Sequence, residues 1–309
     1  MNPYYKDFSE YMQEVFPGIK VQKLSIDAGF TCPNRDGSIG TGGCIYCNNA
    51  SFTPGYCSAH DPVETQIEKG KEFFRRKYPE MKYLAYFQSY TNTFGRSEEV
   101  LLDMYRKASD SEGVVGVIIG TRPDCLPDRL LDGLADLNRR KPVIVEIGAE
   151  TSSDSTLRLI NRNHTWEDVE DAARRLHERG IRVGLHLIAG LPGEEADDVI
   201  KTVRKACELP IESIKMHQLQ IVEGTPLLEK WKKGEIEVSP FTLEDYLELC
   251  VRIVKSVPGH ICIERFLASS PPNMVVAPKW GLKNYQFTNL LNNRLRQRSY
   301  SDTDSNSTV

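Results

Sequence analysis

The sequence lacks the features of a membrane or secreted protein. No apolar run reaches the roughly 20 residues needed to cross a bilayer, and the first residues do not have the basic and then apolar layout of a signal peptide. The eight cysteines are irregularly spaced and include one Cys-x-x-Cys pair, which does not match a regular disulfide framework. We therefore expect a cytoplasmic protein with reduced thiols and no contact with a membrane.

A strong excess of one charge and internal repetition are also missing. The formal net charge of −4 argues against a protein whose whole surface binds nucleic acid, although it leaves room for a local basic patch. We find no internal repeat and no internal linker in the 309 residues, of which 40% are hydrophobic and 27% are charged. This composition predicts an ordinary globular protein with a buried core.

What the chain does have is three cysteines in one glycine-rich loop. Cys32, Cys44 and Cys47 follow a predicted strand, and the glycines between them let three sulfur atoms converge without obstruction by side chains. An iron–sulfur cube held by three cysteines keeps one iron free of a protein ligand, and that iron can bind a substrate or a cofactor. The alternative is a zinc site that also uses Cys57 or His60.

Strand-like and helix-like segments alternate from the cysteine loop to about residue 256. This order predicts a parallel sheet, because parallel neighbours need a crossover connection that is usually a helix. The strands are rich in aliphatic and β-branched residues, as is typical of strands covered on both faces. The predicted strands are 20–27, 83–89, 114–120, 143–149, 181–189 and 213–221, and the predicted helices are 62–78, 97–109, 127–139, 153–161, 166–180, 195–207 and 242–256.

Polar or glycine-rich residues follow each of these strands. In parallel α/β folds, ligands bind at the carboxyl ends of the strands, so we expect the functional site among these segments. They are the cysteine loop and residues 87–94, 120–125, 148–153, 190–194 and 220–226.

Several short motifs at or near the predicted strand ends are informative in combination. They are the three-cysteine loop with Tyr46 before its last cysteine, Thr121-Arg-Pro-Asp124, Glu146-Ile-Gly-Ala-Glu150, Asn161-Arg-Asn-His164, Gly190-Leu-Pro-Gly-Glu194 and Ala277-Pro-Lys-Trp280. Together they resemble the radical S-adenosylmethionine (SAM) enzymes, and among these the YhcC/YtqA-like group, which is related to the catalytic subunit of Elongator and to oxygen-independent coproporphyrinogen oxidase. The resemblance extends over about residues 4–298.

The resemblance implies an α/β fold, a partial (β/α)6 TIM-like barrel with parallel strands and a short C-terminal extension. On this basis we divide the chain into an N-terminal lead-in (1–19), the radical SAM partial barrel (20–256), a C-terminal extension packed on the barrel (257–298) and a tail (299–309). The tail is polar enough that we expect it to be disordered.

The resemblance also implies two cofactors, a [4Fe–4S] cluster and SAM. In this family the free iron chelates the amino and carboxylate groups of SAM, and one electron cleaves it to give a 5′-deoxyadenosyl radical that removes a hydrogen atom from the substrate. By this match the cluster ligands are Cys32, Cys44 and Cys47. The cofactor-binding positions are Tyr46, Gln88, Ser89, Glu150, Arg162 and His186.

Individual roles are implied in the same way. Arg162 matches the position whose guanidinium meets the methionine carboxylate, and Glu150 matches the position that accepts hydrogen bonds from the ribose hydroxyls. The backbone of Gln88 and Ser89 would face the methionine amino group. His186 lies where relatives often carry an acid. The alternatives are a surface ion pair for Arg162, a helix N-cap neighbour for Glu150 and a core histidine for His186.

For the substrate, the resemblance implies tRNA. The expected reaction converts the C5 side chain of the wobble uridine from carboxymethylaminomethyl towards aminomethyl, with a one-electron reductant such as flavodoxin or ferredoxin as a partner. Two alternatives remain open at this point. One is a small-molecule radical SAM oxidoreductase of the coproporphyrinogen-oxidase type, and the other is a zinc-dependent binding module.

Basic and aromatic side chains are interleaved in the last part of the chain. Such a mixture suits an RNA backbone and a splayed base. The alternative is a closing helix over 289–295 with a solvated basic face. The residues concerned are Arg265, Lys279, Lys283, Arg294, Arg296 and Arg298, with Phe266, Trp280, Tyr285 and Phe287.

Overall fold

Parallel strands in chain order form the centre of the molecule. The computed structural model describes residues 2–75, 79–268 and 270–305. Within them, seven strands pair in the order β1-β2-β3-β4-β5-β6-β8, and every pair is parallel. The strands are β1 (Val21–Ile26), β2 (Lys82–Phe87), β3 (Val114–Thr121), β4 (Val143–Glu150), β5 (Arg182–Ala189), β6 (Ser213–Gln218), β7 (Ile221–Val222), β8 (Cys262–Arg265) and β9 (Val275–Ala277), where β7 and β9 form a separate antiparallel pair.

Helices connect the strands and cover the outer face of the sheet. Apolar strand residues such as Leu24 and Val145 pack against apolar helix residues such as Leu134 and Leu176, and all four are fully buried. Burial of each such side chain contributes about 1.5–3 kcal/mol. The helices are α1 (Phe8–Val15), α2 (Val63–Arg75), α3 (Glu98–Asp110), α4 (Asp128–Asn138), α5 (Asp154–Leu159), α6 (Trp166–Glu178), α7 (Ala196–Cys207), α8 (Pro226–Lys232), α9 (Leu243–Ser256) and α10 (Asn284–Ser305).

The sheet curls into part of a barrel. β1 and β8 are the first and last strands of the sheet order and are not hydrogen-bonded to each other. Their side chains nevertheless meet on the concave face, where Lys23 Nζ lies 2.8 Å from Glu264 Oε2. A flat sheet of seven strands about 4.8 Å apart would hold these groups far from each other. The expected α/β partial barrel with parallel strands is therefore confirmed.

The N-terminal helix α1 closes the amino-terminal end of this barrel. Asp7 caps the helix by accepting a hydrogen bond from the Glu10 amide (2.9 Å). Met12 and Phe16 then pack against inward-facing residues of the strands, including Leu84 and Ile118. One opening of the curled sheet is thus filled with apolar side chains, while the carboxyl ends of the strands remain available for a site.

Two parts of the chain differ from the sequence-based expectation. The segment expected to be a C-terminal extension contributes β8 to the sheet, which has seven strands where six were expected. β8 escaped prediction because it is four residues long and two of these, Glu264 and Arg265, are charged. The second difference is that α10 continues to Ser305, into the polar segment expected to be disordered, since no glycine or proline interrupts it. Residues 306–309 lie outside the described residues.

The interleaved basic and aromatic residues near the C-terminus do not form one exposed face. Phe266 and Phe287 are buried, and the ring of Trp280 stacks on Phe287 with centroids 6.3 Å apart. Arg294 pairs with the α9 carboxylates of Glu244 and Glu248, and Arg298 also pairs with Glu248. These contacts favour the closing-helix interpretation over an RNA-binding patch at this position. None of the described helices combines the length and the apolar character needed to span a membrane.

Candidate active site

A cavity of about 1310 Å³, including its open mouth, lies at the carboxyl ends of the strands. The structure brings most of the predicted site residues to its wall. These are Cys32, Cys44, Cys47, Tyr46, Gln88, Glu150, Arg162 and His186. Ser89 is buried and does not line this cavity; it faces a separate small pocket shared with Gln88. A cavity at this edge of a parallel sheet lies where α/β enzymes bind their ligands.

The cysteine loop is held in shape by backbone hydrogen bonds and by asparagines. The Cys32 carbonyl accepts from the amides of Arg35 (2.8 Å) and Asp36 (3.2 Å), and the Cys47 amide donates to the Cys44 carbonyl (3.0 Å). Asn161, from the segment after α5, donates to two carbonyls of the loop, that of Gly43 at 2.8 Å and that of Thr41 at 3.2 Å. The loop therefore depends on a segment far away in sequence.

One glycine in this loop is required by its surroundings. Gly43, directly before Cys44, has a φ of 76°, and a Cβ atom added there would lie 2.7 Å from Arg35 Nε. Any other residue would be strained in its backbone and would displace the arginine. Arg35 in turn donates to the Cys47 carbonyl (3.0 Å), so the tight turn and the third cysteine are linked.

Arg162 lies between the cysteines and the end of β4. Its guanidinium donates to Cys44 Sγ (3.6 Å), to the Gly148 carbonyl (2.6 Å) and to His164 Nε2 (3.0 Å), and it forms an ion pair with Glu150 (3.2 Å). Burial opposes its charge, but Glu150 and Cys44 hold the pKa of Arg162 well above its usual value. The arrangement excludes a surface ion pair, because Arg162 and Glu150 are both buried.

The histidine beside it is neutral. Burial and the positive charge of Arg162 lower the pKa of His164 to about 3. Its Nε2 can then accept the hydrogen bond from Arg162, which leaves Nδ1 to donate to the Thr165 carbonyl (3.0 Å). A neutral imidazole thus fixes the orientation of the guanidinium without competing for its charge.

Glu150 reaches the cavity through an unusual backbone conformation. Its φ is 64°, and the pairing of β4 with β5 is irregular between Gly148 and Glu150. A left-handed conformation costs a residue with a side chain about 1–2 kcal/mol, and such strain often occurs at functional sites. A bulge of this kind re-aims a side chain at the end of a strand. Here it places the carboxylate beside Arg162.

Arg122 was not among the predicted site residues, although it belongs to the motif Thr121-Arg-Pro-Asp124. Arg122 is 1% exposed and is held by Asp124 through two hydrogen bonds of 2.8 and 2.9 Å. Its Nη1 donates to the Arg162 carbonyl (2.9 Å), and its Nη2, which also donates to Asp124, reaches the Asn163 carbonyl (3.4 Å). It therefore orients the segment that carries Arg162.

A second missed feature is a layer of charged side chains inside the barrel, between α1 and the cavity. We call Lys23, Glu146, Lys215 and Glu264 the charged layer. Glu146 contacts Lys23 (2.7 Å) and Lys215 (3.0 Å), and the same two lysines contact Glu264 at 2.8 and 3.2 Å. Two lysines face two carboxylates, so the layer is balanced in charge.

The charged layer also touches the cavity. Tyr86 donates to Glu146 Oε2 (2.7 Å), and His186 Nε2 lies 2.6 Å from the same oxygen. Burial and the neighbouring Lys215 lower the pKa of His186, although Glu146 opposes this shift. His186 is therefore tied to the charged layer, and Tyr86, Glu146 and His186 form part of the cavity wall.

The donor chemistry of the cavity fits an iron–sulfur cluster. All three loop cysteines are free thiols, and soft sulfur ligands suit iron–sulfur clusters. Among the described residues, no group of three or more His, Cys, Asp or Glu side chains is placed to hold one ion. Cys57, considered for zinc, donates instead to the Ser25 carbonyl (2.9 Å).

A curled parallel sheet with three cysteines after its first strand and a deep cavity at the strand ends defines a class of enzymes that use a cluster and a nucleotide cofactor. Comparison with known families agrees. The model of the Radical SAM superfamily matches residues 35–206, and that of the Radical_SAM C-terminal domain matches residues 211–297. The chain belongs to the radical SAM superfamily.

Individual relatives extend this result. YtqA of Bacillus subtilis is 34% identical over 294 residues, which are 95% of this chain and 90% of YtqA. A tRNA uridine(34) acetyltransferase of Methanocaldococcus jannaschii is 28% identical over 165 residues, 52% of this chain and 30% of that protein. The structure of Methanocaldococcus infernus Elp3 with an N-terminal deletion matches with a TM-score of 0.65 at 19% identity, covering 91% of this chain and 64% of that chain, and supports the fold alone.

The expected resemblance is thereby confirmed, and the protein is a radical SAM enzyme with a [4Fe–4S] cluster and SAM as cofactors. The alternative of a zinc-dependent binding module is set aside. When bound, these cofactors supply a 5′-deoxyadenosyl radical that removes a hydrogen atom from the substrate. The residues of the chain hold them, orient the substrate and limit the access of water.

Proposed function

We propose that this enzyme acts on tRNA and converts the C5 side chain of the wobble uridine from carboxymethylaminomethyl towards aminomethyl. The bond between the amine nitrogen and the carboxymethyl carbon would break with addition of water, and the two carbons would leave as glyoxylate. Cleavage of SAM to methionine and 5′-deoxyadenosine would take up the two electrons. The similarity to a protein named for its action on uridine 34 of tRNA supports this choice of substrate. The observation that carries it in the structure is an aromatic and basic rim at the mouth of the cavity.

The rim consists of Arg35, Phe52 and Tyr90. Phe52 and Tyr90 line the cavity and are 37% and 36% exposed, so part of each ring is open to solvent. The Arg35 guanidinium lies 5.5 Å from the centre of the Tyr90 ring. Exposed aromatic rings beside an arginine are what proteins use to stack an unpaired base next to the phosphate backbone. A nucleotide that leaves a tRNA loop can enter the cavity between these side chains.

A buried amide inside the cavity suits a base as well. Gln220 lines the cavity, and its Oε1 is buried without a hydrogen-bond partner among the described residues. A buried acceptor of this kind is costly unless a ligand supplies a donor. An N–H group of uracil has the required chemistry.

For the cofactors, we propose that Cys32, Cys44 and Cys47 hold the cluster and that Arg162 binds the SAM carboxylate. Glu150 accepts hydrogen bonds from the ribose, and Tyr46 and Gln88 complete the wall of the SAM site. The position of all seven residues around one cavity supports these roles. Ser89 contributes to the SAM site through its backbone, and His186 contributes through its hydrogen bond to Glu146.

The test is a reaction with purified components. Protein reconstituted without oxygen is mixed with SAM, dithionite and tRNA that carries carboxymethylaminomethyluridine, and the nucleosides are measured by mass spectrometry. We expect loss of this nucleoside, gain of aminomethyluridine and release of 5′-deoxyadenosine. A Cys44→Ala variant serves as the control without cluster. An unchanged nucleoside profile while 5′-deoxyadenosine is released would reject the proposal.

We further propose that the electron comes from a flavodoxin or a ferredoxin and that the enzyme works in the cytoplasm. Eight free cysteines support a reducing compartment. Replacement of dithionite by each reduced carrier protein tests the first point. If neither carrier supports release of 5′-deoxyadenosine above the level without reductant, this assignment is wrong.

A further inference from the structure

Four arginines of the described chain line the cavity, and three of them have a carboxylate or a backbone carbonyl of the protein as a partner. Arg122 and Arg162 are paired with carboxylates, and Arg35 donates to a backbone carbonyl of the cysteine loop. Arg265, at the end of β8, has no such partner among the described residues. Its contacts are with the two ring nitrogens of His217, at 3.3 and 3.4 Å, and its Nε is buried without a hydrogen bond.

The surroundings do not neutralise Arg265. The charged layer next to it is already balanced, with two lysines and two carboxylates. Burial and the proximity of Arg265 hold the pKa of His217 well below its usual value, and the pKa of His186 is also lowered, mainly by burial. Both rings are therefore neutral at physiological pH. Arg265 is a positive charge with no carboxylate paired to it among the residues that the structure describes.

The guanidinium of Arg265 stays positively charged in this position. Arginine stays protonated in proteins, and an unpaired charge that is partly removed from water destabilises the fold. Its planar fork matches a carboxylate in two parallel hydrogen bonds. An arginine that faces a cavity without a protein carboxylate is thus suited to an anionic group of a ligand.

We propose that Arg265 binds the carboxylate of the substrate side chain, with His217 beside it, on the β6 and β8 side of the cavity. This inference rests on the proposed function, since the carboxymethylaminomethyl group ends in a carboxylate. The aminomethyl product lacks that carboxylate. Arg265 therefore distinguishes the substrate from the product and lets the product leave after the reaction.

The test measures binding without turnover. Reconstituted protein with SAM and without reductant is titrated with two tRNAs that differ in the wobble side chain, one carboxymethylaminomethyl and one aminomethyl, at one fixed salt concentration. We expect the wild type to prefer the first by about 10- to 100-fold, the range of a charge-assisted hydrogen bond. Arg265→Gln should lose this preference. Arg265→Lys should keep part of it. Arg129→Gln, at an arginine whose side chain is 80% exposed, is the matched control and should retain all of it.

The outcomes separate this inference from the proposed function. If the wild type converts the tRNA and Arg265→Gln keeps the full preference, the assignment of Arg265 is wrong and the proposed function stands. If the wild type neither prefers nor converts the carboxylate-bearing tRNA, the proposed function fails and this inference fails with it. Absorbance of the cluster and thermal melting show whether each variant is folded. If Arg265→Gln does not fold, Arg265→Lys decides, and a preference equal to that of the wild type overturns the assignment.

Discussion

The charged layer gives a quantitative prediction for Glu146→Gln. The carboxylate is 3% exposed and contacts Lys23, Lys215, Tyr86 and His186. Glutamine preserves the shape but leaves the buried Lys215 and the partly buried Lys23 opposite the single carboxylate of Glu264. Removing one partner of a buried ion pair costs about 3–5 kcal/mol. Since domains of this kind are stable by about 5–15 kcal/mol, the variant should lose a large share of its stability.

Urea unfolding of the apoprotein, followed by far-UV circular dichroism, measures this loss. Glu229→Gln is the matched control, because Glu229 is exposed and lies 4.0 Å from Lys232, so its unfolding midpoint should change little. The double variant Glu146→Gln with Lys215→Met restores charge balance and should be more stable than Glu146→Gln alone. If Glu146→Gln unfolds at the same urea concentration as Glu229→Gln, or if the second substitution brings no recovery, the reasoning is refuted.

The carboxylate of Glu146 should also make the stability of the folded protein depend on pH. Burial alone would raise the pKa of Glu146, but Lys215 and Lys23 hold it well below its usual value. In the unfolded chain, glutamate binds a proton near pH 4.3, whereas the folded protein does not. The stabilisation by Glu146 is therefore complete above that pH and is lost as the pH falls towards the lower pKa of the folded state. Glu146→Gln should show a shallower loss of stability in this range.

Three further variants test the cofactor site. Cys44→Ala should abolish both the visible absorbance of the cluster and the release of 5′-deoxyadenosine; retention of either would show that Cys44 is not a ligand. Arg162→Lys should retain the cluster absorbance but weaken SAM binding about 10- to 100-fold by equilibrium dialysis, because it loses the planar fork; unchanged affinity would contradict the assignment. Asn161→Ala removes two hydrogen bonds to the cysteine loop and should lower the iron content after reconstitution. The control is Asn138→Ala, which removes a side-chain hydrogen bond to the Gly180 carbonyl away from the site. Equal iron content in the two variants would contradict the role of Asn161.

Much of the sheet could be predicted because local signals agree with the fold. The predicted strand 143–149 corresponds to Val143–Glu150, and the predicted helix 242–256 corresponds to Leu243–Ser256. Thr165 and Asp168 form a capping box at the start of α6, and their three-residue spacing is the sequence signal of that motif. Helix α1 was missed although its signal was present. Phe8, Tyr11, Met12 and Val15 have the spacing of an apolar helix face, and Asp7 precedes them as a cap.

The site was predicted only in part, for a physical reason. Positions at strand ends and in short motifs can be recognised in sequence, and most of these residues do meet at one cavity. The charged layer depends on the curl of the sheet, which brings Lys23 of β1 to Glu264 of β8. No local pattern encodes such a contact across 241 residues. Charged residues inside otherwise apolar strands were the available signal, and Lys23, Glu146 and Lys215 all show it.

The junction between the two ends of the chain has a consequence for synthesis on the ribosome. The backbone amide of Ile263 donates to the Lys6 carbonyl (2.9 Å), and the Lys6 ammonium reaches the His260 carbonyl (3.1 Å). The first helix cannot take its final place until residues near 263 have emerged from the exit tunnel. The amino-terminal end of the nascent barrel, which α1 later closes, is therefore open to water during most of translation. A cluster inserted before the chain is released would enter a barrel that is still open at this end.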